Sequence, residues 1–471
     1  MQVRRPMLAL LLTLTCTVLV AAATASPAAA SFAPHGIWAS GLGAPPNDER
    51  WVDVGKAPDG SLYAAGVYDF EWASTSGDIK VAKYSAADAA PTHLLWSKTW
   101  DNPVEHAQDS AAALAVDADG ALIVAGSTST IGFGRQWAVV KWDSSGTKKW
   151  EKTFGAFSPL QRLDADAYDV ACDAAGDVYV SGWVETGPDN PWGDTGSLCV
   201  RKLGGVDGSV IWKRAYHGKS PGYNRGTALG LDAAGNVYVT GSGQNAAHDE
   251  DILVCRFAHG DGHKVWVKRI AGGQKRNDEG VDIAVRGSSV WVTGGMYGAG
   301  DTRTVALARY TTAGKRLWLR TWQQKSATIE YPRALAVDRN GNAIVAGSGH
   351  PNPVTREQAF VLKWNRSGVR QWARLSHGPV TKFAAWNDVA CTSAGTIWVG
   401  GTSRTSIGGW VFRVGRYSGA GKSIWTSDWA GFDSIGGGCQ ALCLGQTGLF
   451  AGGSYETTAA SEDAVVAKYT R

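Results

Sequence analysis

The chain has 471 residues, 44% of them hydrophobic and 19% charged, with 60 Gly, 22 Trp, 3 Met and a formal net charge of +4. That composition excludes a disordered chain, a coiled coil and a collagen-like array. The near-neutral charge leaves no electrostatic footprint for nucleic acid.

Residues 1–30 carry Arg4 and Arg5, the apolar run from Met7 to Ala23, and small residues at Ala23-Thr24-Ala25 and Ala28-Ala29-Ala30. This is the pattern of a Sec-type export signal, and it predicts a secreted or periplasmic protein. Thr13-Leu14-Thr15 before Cys16 is not the small-residue context of a lipoprotein signal. Loss of the segment would leave 44 basic residues from 46 against 42 acidic ones, a net charge of +2, and six of the seven cysteines. No later run approaches the roughly 18 to 20 apolar residues that span a bilayer.

Downstream, one pattern recurs. A short strand ends in Gly at LYAAG (62–66), LIVAG (122–126), VYVSG (178–182), VYVTG (237–241), VWVTG (290–294), AIVAG (343–347), IWVGG (397–401) and LFAGG (449–453). Each is preceded by a small-residue strand and a turn, as in ALAVDADG (113–120), where Asp and Gly serve a hairpin. Each is followed by a strand that ends on a basic residue: Lys83, Lys141, Lys202, Arg256, Arg309, Lys363, Arg416 and Lys468. A fourth strand holds Trp96, Trp150, Trp212, Trp266, Trp318, Trp372 or Trp425, six of them within G-x-x-x-W.

Four short strands per period of about 55 residues predict a β-propeller blade. The eighth copy ends at Arg471 without its Trp strand, and His35 to Ser40 reads like the missing piece. The expected fold is all-β: one eight-bladed propeller over residues 31–471, its last blade shared between a strand near 36–40 and residues 438–471. Pairing of the two termini would remove an exposed strand edge. A seven-bladed ring is the alternative.

The string D-x-x-G-N-x-Y-V-T-G followed by K-[YW] resembles the bacterial SBBP-type β-propeller repeat, and Asn277-Asp278-Glu279 before Val281-Asp282 fits the start of such repeats. The G-x-x-x-W strands, as in Gly146 to Trp150, are similar to the tryptophan-docking strands of quinoprotein propellers. The resemblance spans nearly all of residues 31–471 and implies a propeller without naming an activity. Quinoprotein dehydrogenases carry a vicinal disulfide beside their cofactor; this chain has no Cys-Cys pair, and no cofactor is expected.

A finer period lies inside the repeat. Thirteen residues before the strand-ending Gly, or before the second Gly where two occur together, odd copies carry Asp53, Asp169, Asp282 and Asp388, and even copies carry Ala113, Ala228, Ala334 and Gln440. The unit copied is therefore two blades long. The four aspartates fall on the strand that lines the channel and form a candidate acidic ring for a cationic ligand, the alternative being backbone hydrogen bonding. Eight strands about 4.8 Å apart enclose a circle too wide for one calcium ion to touch all four.

Other candidates weigh less. The third-strand basic residues are expected to pair with turn carboxylates, their stems packed on the next blade. Trp51, Trp72, Trp137, Trp183, Trp192, Trp386 and Trp410 lie outside the Trp-strand pattern, several at loop edges where a glycan could stack. Cys172, Cys391 and Cys443 share one core position, and Cys391 with Cys443 is the one disulfide to test. His259-Gly260-Asp261-Gly262-His263 and His248 to Asp251 are loop histidine–acid clusters without zinc spacing, and no metal site is assigned.

These readings predict an exported, non-catalytic, monomeric propeller that binds a protein or glycan through the loops after its second and fourth strands. The alternatives are an enzyme at the channel mouth, glycan-active or quinone-dependent, and a periplasmic assembly scaffold.

Overall fold

The computed structural model describes residues 38–41, 48–68, 77–87, 93–102, 108–130, 134–155, 163–186, 195–218, 222–247, 249–273, 276–298, 302–324, 328–351, 357–378, 383–404, 409–429, 437–446, 448–456 and 462–470. Residues 1–30, in which an export signal is expected, and Ile37, Trp72, Trp192 and His248 lie outside them. The described elements are 32 β-strands, and no helix among them is long and apolar enough to cross a membrane.

The strands form six antiparallel sheets of four and one of eight, in which a single parallel bridge, Arg303 to Ile329, joins two four-stranded units. In chain order the units cover residues 49–100, 109–154, 165–216, 224–270, 279–322, 328–376 and 384–429 (units 1 to 7), then 437–470 together with 38–41 (unit 8). This is the sheet organisation of a β-propeller.

One register holds throughout. The basic residue of the third strand faces the Trp of the fourth: Lys83 opposite Trp96, Lys141 opposite Trp150, Arg309 opposite Trp318. In unit 8 the strand Trp38–Gly41 runs antiparallel to Glu462–Thr470, with Trp38 opposite Lys468 and Ser40 opposite Val466. The terminal segment therefore occupies the place of a fourth strand.

The first and second strands of each unit are out of step by one residue at a β-bulge, for example between Trp51 and Asp53 and between Ala111 and Ala113. The bulge brings a first-strand carbonyl against the glycine that ends each repeat motif. A Cβ at Gly66 would run into the Arg50 carbonyl, and one at Gly401 into that of Ala385. This close approach is why the motif ends in Gly.

The register also corrects one alignment. In unit 8 the residue matching Asp53 is Ala441, paired with Gly452, whereas Gln440 is the bulged residue. The hairpin between Leu444 and Leu449 is one residue shorter than that between Val116 and Leu122, so counting back from the glycine overshoots.

The core lies between neighbouring units. Tyr63, Val81 and Trp100 of unit 1 pack with Leu114, Val124 and Val140 of unit 2, and Trp51, Val54 and Leu62 of unit 1 pack with Ala441, Phe450 and Val466 of unit 8. The second and third strands, buried on both faces, read as near-continuous apolar runs.

Candidate functional site

The outer strands account for half of the tryptophans. The indole N–H of six docking Trp residues donates to a carbonyl in the third-to-fourth strand turn of the next unit: Trp96 to Ser144 (3.2 Å), Trp150 to Gly205 (3.1 Å), Trp212 to His259 (3.1 Å), Trp266 to Thr312 (3.1 Å), Trp318 to Arg366 (3.1 Å) and Trp372 to Gly419 (3.2 Å), while the Trp425 ring stacks on Tyr469 with centroids 5.8 Å apart. That turn holds the Gly of the next G-x-x-x-W, against which the ring lies. Gly368 has φ of 81°, and a Cβ there would sit 2.9 Å from the Trp318 ring. His259 is thus a docking residue. Its Nδ1 also lies 2.8 Å from the Tyr179 hydroxyl.

The third-strand basic groups serve the same joints. Lys83 pairs with Asp59 (2.9 Å), Lys141 with Asp117 (2.8 Å), Lys202 with Asp177 (3.0 Å) and Lys363 with Asp338 (3.3 Å). Lys141 and Lys363 also donate to the Gly205 and Gly419 carbonyls that receive the docking indoles. Where the turn acid is replaced, at Arg286 and Thr392, the partner strand carries Arg309 and Arg416.

Asp53, Asp169, Asp282 and Asp388 sit half-buried on the first strands of units 1, 3, 5 and 7. In each, Oδ1 accepts the N–H of the following residue, at 2.8, 2.8, 2.7 and 2.6 Å. Oδ2 accepts an N–H from the next unit: Leu114 (2.9 Å), Leu229 (2.7 Å), Leu335 (2.7 Å) and Leu442 (2.7 Å). Each carboxylate therefore clips an odd unit to the even unit after it. Burial outweighs these hydrogen bonds and pushes the carboxyls up, to about 6 at Asp53 and Asp282 and about 7 at Asp169 and Asp388. Repulsion from Asp53 and Asp282 adds to the rise at both Asp169 and Asp388, so the four lie close enough to sense one another.

All six described cysteines are free thiols, Cys391 and Cys443 included. Burial pushes Cys391 up to about 11 and Cys443 to about 12, which makes them poor nucleophiles at neutral pH.

Sequence reading missed a cleft of about 350 Å³, lined by Ser110, Ser127, Arg135, Asp166, Tyr168 and Tyr223 with the edge of Trp183. It opens where first strands begin and second strands finish, on the side of the loops singled out above. Arg135 binds Asp166 at 3.1 Å, and the Ser110 and Ser127 hydroxyls meet at 3.0 Å. Burial raises Asp166 more than Arg135 lowers it. Tyr223 packs on Trp183 with centroids 5.4 Å apart. The buried indole N–H of Trp183 meets no acceptor among the described residues. Of the other tryptophans outside the docking pattern, Trp51, Trp137 and Trp386 are core residues, and Trp410 is exposed. A bulge residue such as Tyr168, where other copies carry Val52, Ala112 or Thr227, is the signal that could have pointed here.

Serial four-stranded sheets with indole docking define a β-propeller of the tryptophan-docking kind. No family model matches the chain, and no curated protein sequence matches it. Among solved structures it is similar to BamB from Moraxella catarrhalis, with a TM-score of 0.52 and 14% identity over 93% of this chain and 100% of that one. A europium-containing methanol dehydrogenase aligns at a TM-score of 0.41 and 12% identity, over 92% of each chain. A PL25 ulvan lyase bound to -[GlcA(1-4)Rha3S]- aligns at 0.47 and 10%, over 74% of this chain and 90% of that one. The likeness to BamB is one of fold.

Proposed function

We propose that this chain is an exported, non-catalytic binding scaffold: a single eight-bladed propeller whose last blade is shared between 38–41 and 437–470, and which recognises an oligosaccharide in the cleft at Tyr168. The ring is supported by the terminal pairing in the common register and by the core shared between units 8 and 1. Export rests on residues 1–30.

The observation that carries the ligand class is the lining of the cleft. Two tyrosines and an indole edge stand beside an arginine–aspartate pair and two hydroxyls. Aromatic surface takes the apolar face of a sugar, and fixed polar groups take its hydroxyls. The four clip aspartates are a second proposed contact, for a cationic group on the channel axis, which would relieve their repulsion.

A glycan array probed with the purified chain tests the reading. Wild type retains a defined set of glycans, and Tyr168→Ala or Tyr223→Ala lowers retention about tenfold, the equivalent of ~1.4 kcal/mol. No retained glycan, or retention unchanged in both variants, would overturn it. Capture of a protein alone would favour a protein partner.

A further inference from the structure

Acidic residues, with one asparagine among them, recur where the third strand of one unit begins beside the first strand of the next. Two residues before the partner of the motif glycine, third strands carry Asp78, Asp251 and Asp463, and first strands carry Glu49, Asp109, Asn224, Asp278 and Glu330. Two of these junctions hold a matched pair of aspartates and satisfy it differently.

Between units 4 and 5, Asp251 is held by Arg269 at 3.2 Å. Asp278 is satisfied on both oxygens, Oδ1 by the Tyr297 N–H at 2.8 Å and Oδ2 by that of Gly272, and Arg303 favours its charge. Between units 1 and 2 the register places Thr99 where Arg269 stands, so that cation is replaced. Ser129 stands where Tyr297 does, but its N–H donates to the Gln108 carbonyl at 3.0 Å. Asp109 Oδ2 keeps the loop N–H of Asn102 at 2.8 Å. Among the described residues its Oδ1, in a residue with 0% exposure, accepts no hydrogen bond of good geometry; the hydroxyl of Thr128, opposite it in the register, takes the Asn102 side-chain amide at 2.8 Å. A third acid, Asp101, enters this junction, where the other has Ala271.

Asp78, Asp101 and Asp109 each offer a carboxylate oxygen, and the three lie within 4.8 Å of one another. We infer that these three side chains bind a divalent cation of calcium type between units 1 and 2. The donors are all hard oxygens. Calcium takes them at about 2.3 to 2.6 Å, so two ligands on opposite sides of one ion stand roughly 4.8 Å apart, whereas magnesium demands a tighter octahedron. Water and nearby carbonyls complete the shell.

A buried carboxylate oxygen without a partner is costly, and three carboxylate oxygens within 4.8 Å of one another repel. A bound cation resolves both. It also ties the third strand of unit 1 to the first strand of unit 2, where the next residue, Ser110, turns the other way into the cleft. Cation binding itself does not depend on what the cleft holds.

Titration calorimetry of the full chain, stripped with chelator and then given calcium chloride, tests this. One ion binds per chain with a dissociation constant of roughly 10⁻⁵ to 10⁻³ M, and saturating calcium raises the thermal unfolding midpoint. Asp109→Asn abolishes binding. Because that buried residue also caps a loop, the decisive variant is Asp101→Asn, at an exposed side chain, which weakens binding about tenfold or more. Asp119→Asn, on an exposed turn, leaves it unchanged. Absence of heat and of a midpoint shift in the wild type overturns the inference, as does wild-type affinity in Asp101→Asn. Equal affinity for magnesium overturns the assignment to calcium.

Discussion

The outer girdle and the inner strands of this protein obey different symmetries. On the outside, the same joint repeats from unit to unit: an indole N–H to a turn carbonyl, with the ring against the turn glycine. On the inside, the aspartate clip occurs only from odd units to even ones. The contrast separates what the fold requires from what it tolerates. Docking joins successive units at their fourth strands, where a large aromatic side chain lies against the next unit's turn. Between first strands a short carboxylate suffices in one interface while alanine packing serves the next, at Ala113 and Ala228. Freed from a common duty, the ends of the inner strands can diversify, and both the cleft and the acidic triad lie there.

The largest expected effect tests the girdle. Trp318→Ala removes a ring that is 9% exposed, its hydrogen bond to Arg366 and its contact with Gly368. It should cost about 3 to 5 kcal/mol, read from denaturant unfolding. A loss below ~1 kcal/mol would mean that docking is incidental to stability. Next comes the clip. Asp282→Ala leaves the N–H groups of Ile283 and Leu335 without their acceptor and should cost about 1 to 3 kcal/mol. The matching even-unit change, Ala334→Gly, removes no hydrogen bond from either neighbour; if it proved as costly, the odd–even distinction would fail. Gly421→Ala places a Cβ 2.6 Å from the Trp372 ring at a φ of 83° and should cost about 1 to 2 kcal/mol in the same assay.

These differences also explain what could be read from the sequence. The girdle was legible because its parts recur at fixed spacing: the strand-ending Gly, the third-strand Lys or Arg, and G-x-x-x-W all mark one joint. The clip aspartates were legible as a set, since they alternate, but their bonds to Leu114, Leu229, Leu335 and Leu442 needed the register. Gln440 was misplaced because one shortened hairpin shifts the count without disturbing the pattern. The cleft was hidden for the opposite reason. Ser110, Arg135, Asp166 and Tyr223 come from three units, at positions where the repeats disagree, and no period selects them. Asp78, Asp101 and Asp109 are likewise scattered over two units and meet only because parallel contacts such as Gly77 to Gln108 draw the strand ends together.

The smallest effect is a slope in pH, and it isolates the inner ring from the rest. The clip carboxyls are raised to about 6 or 7 in the folded chain, against about 3.9 when unfolded. Between those limits the folded state holds more protons than the unfolded one, so stability falls as pH rises. The contribution is fully present below about pH 4 and is lost on passing through about pH 6 to 7. Turn acids such as Asp59, held down to about 2 by Ser61 and Lys83 despite some burial, act with the opposite sign and at lower pH. They leave the window from pH 4 to 7 to the ring and to other raised acids such as Glu49. The partial exposure of these side chains screens the effect to under about 1 kcal/mol per residue. Asp388→Asn keeps one acceptor and cannot ionise, so its unfolding midpoint should decline less between pH 4 and 7 than that of the wild type. Parallel profiles for the two proteins would mean that the carboxylates are ionised throughout, their charge already balanced by the N–H groups they clip.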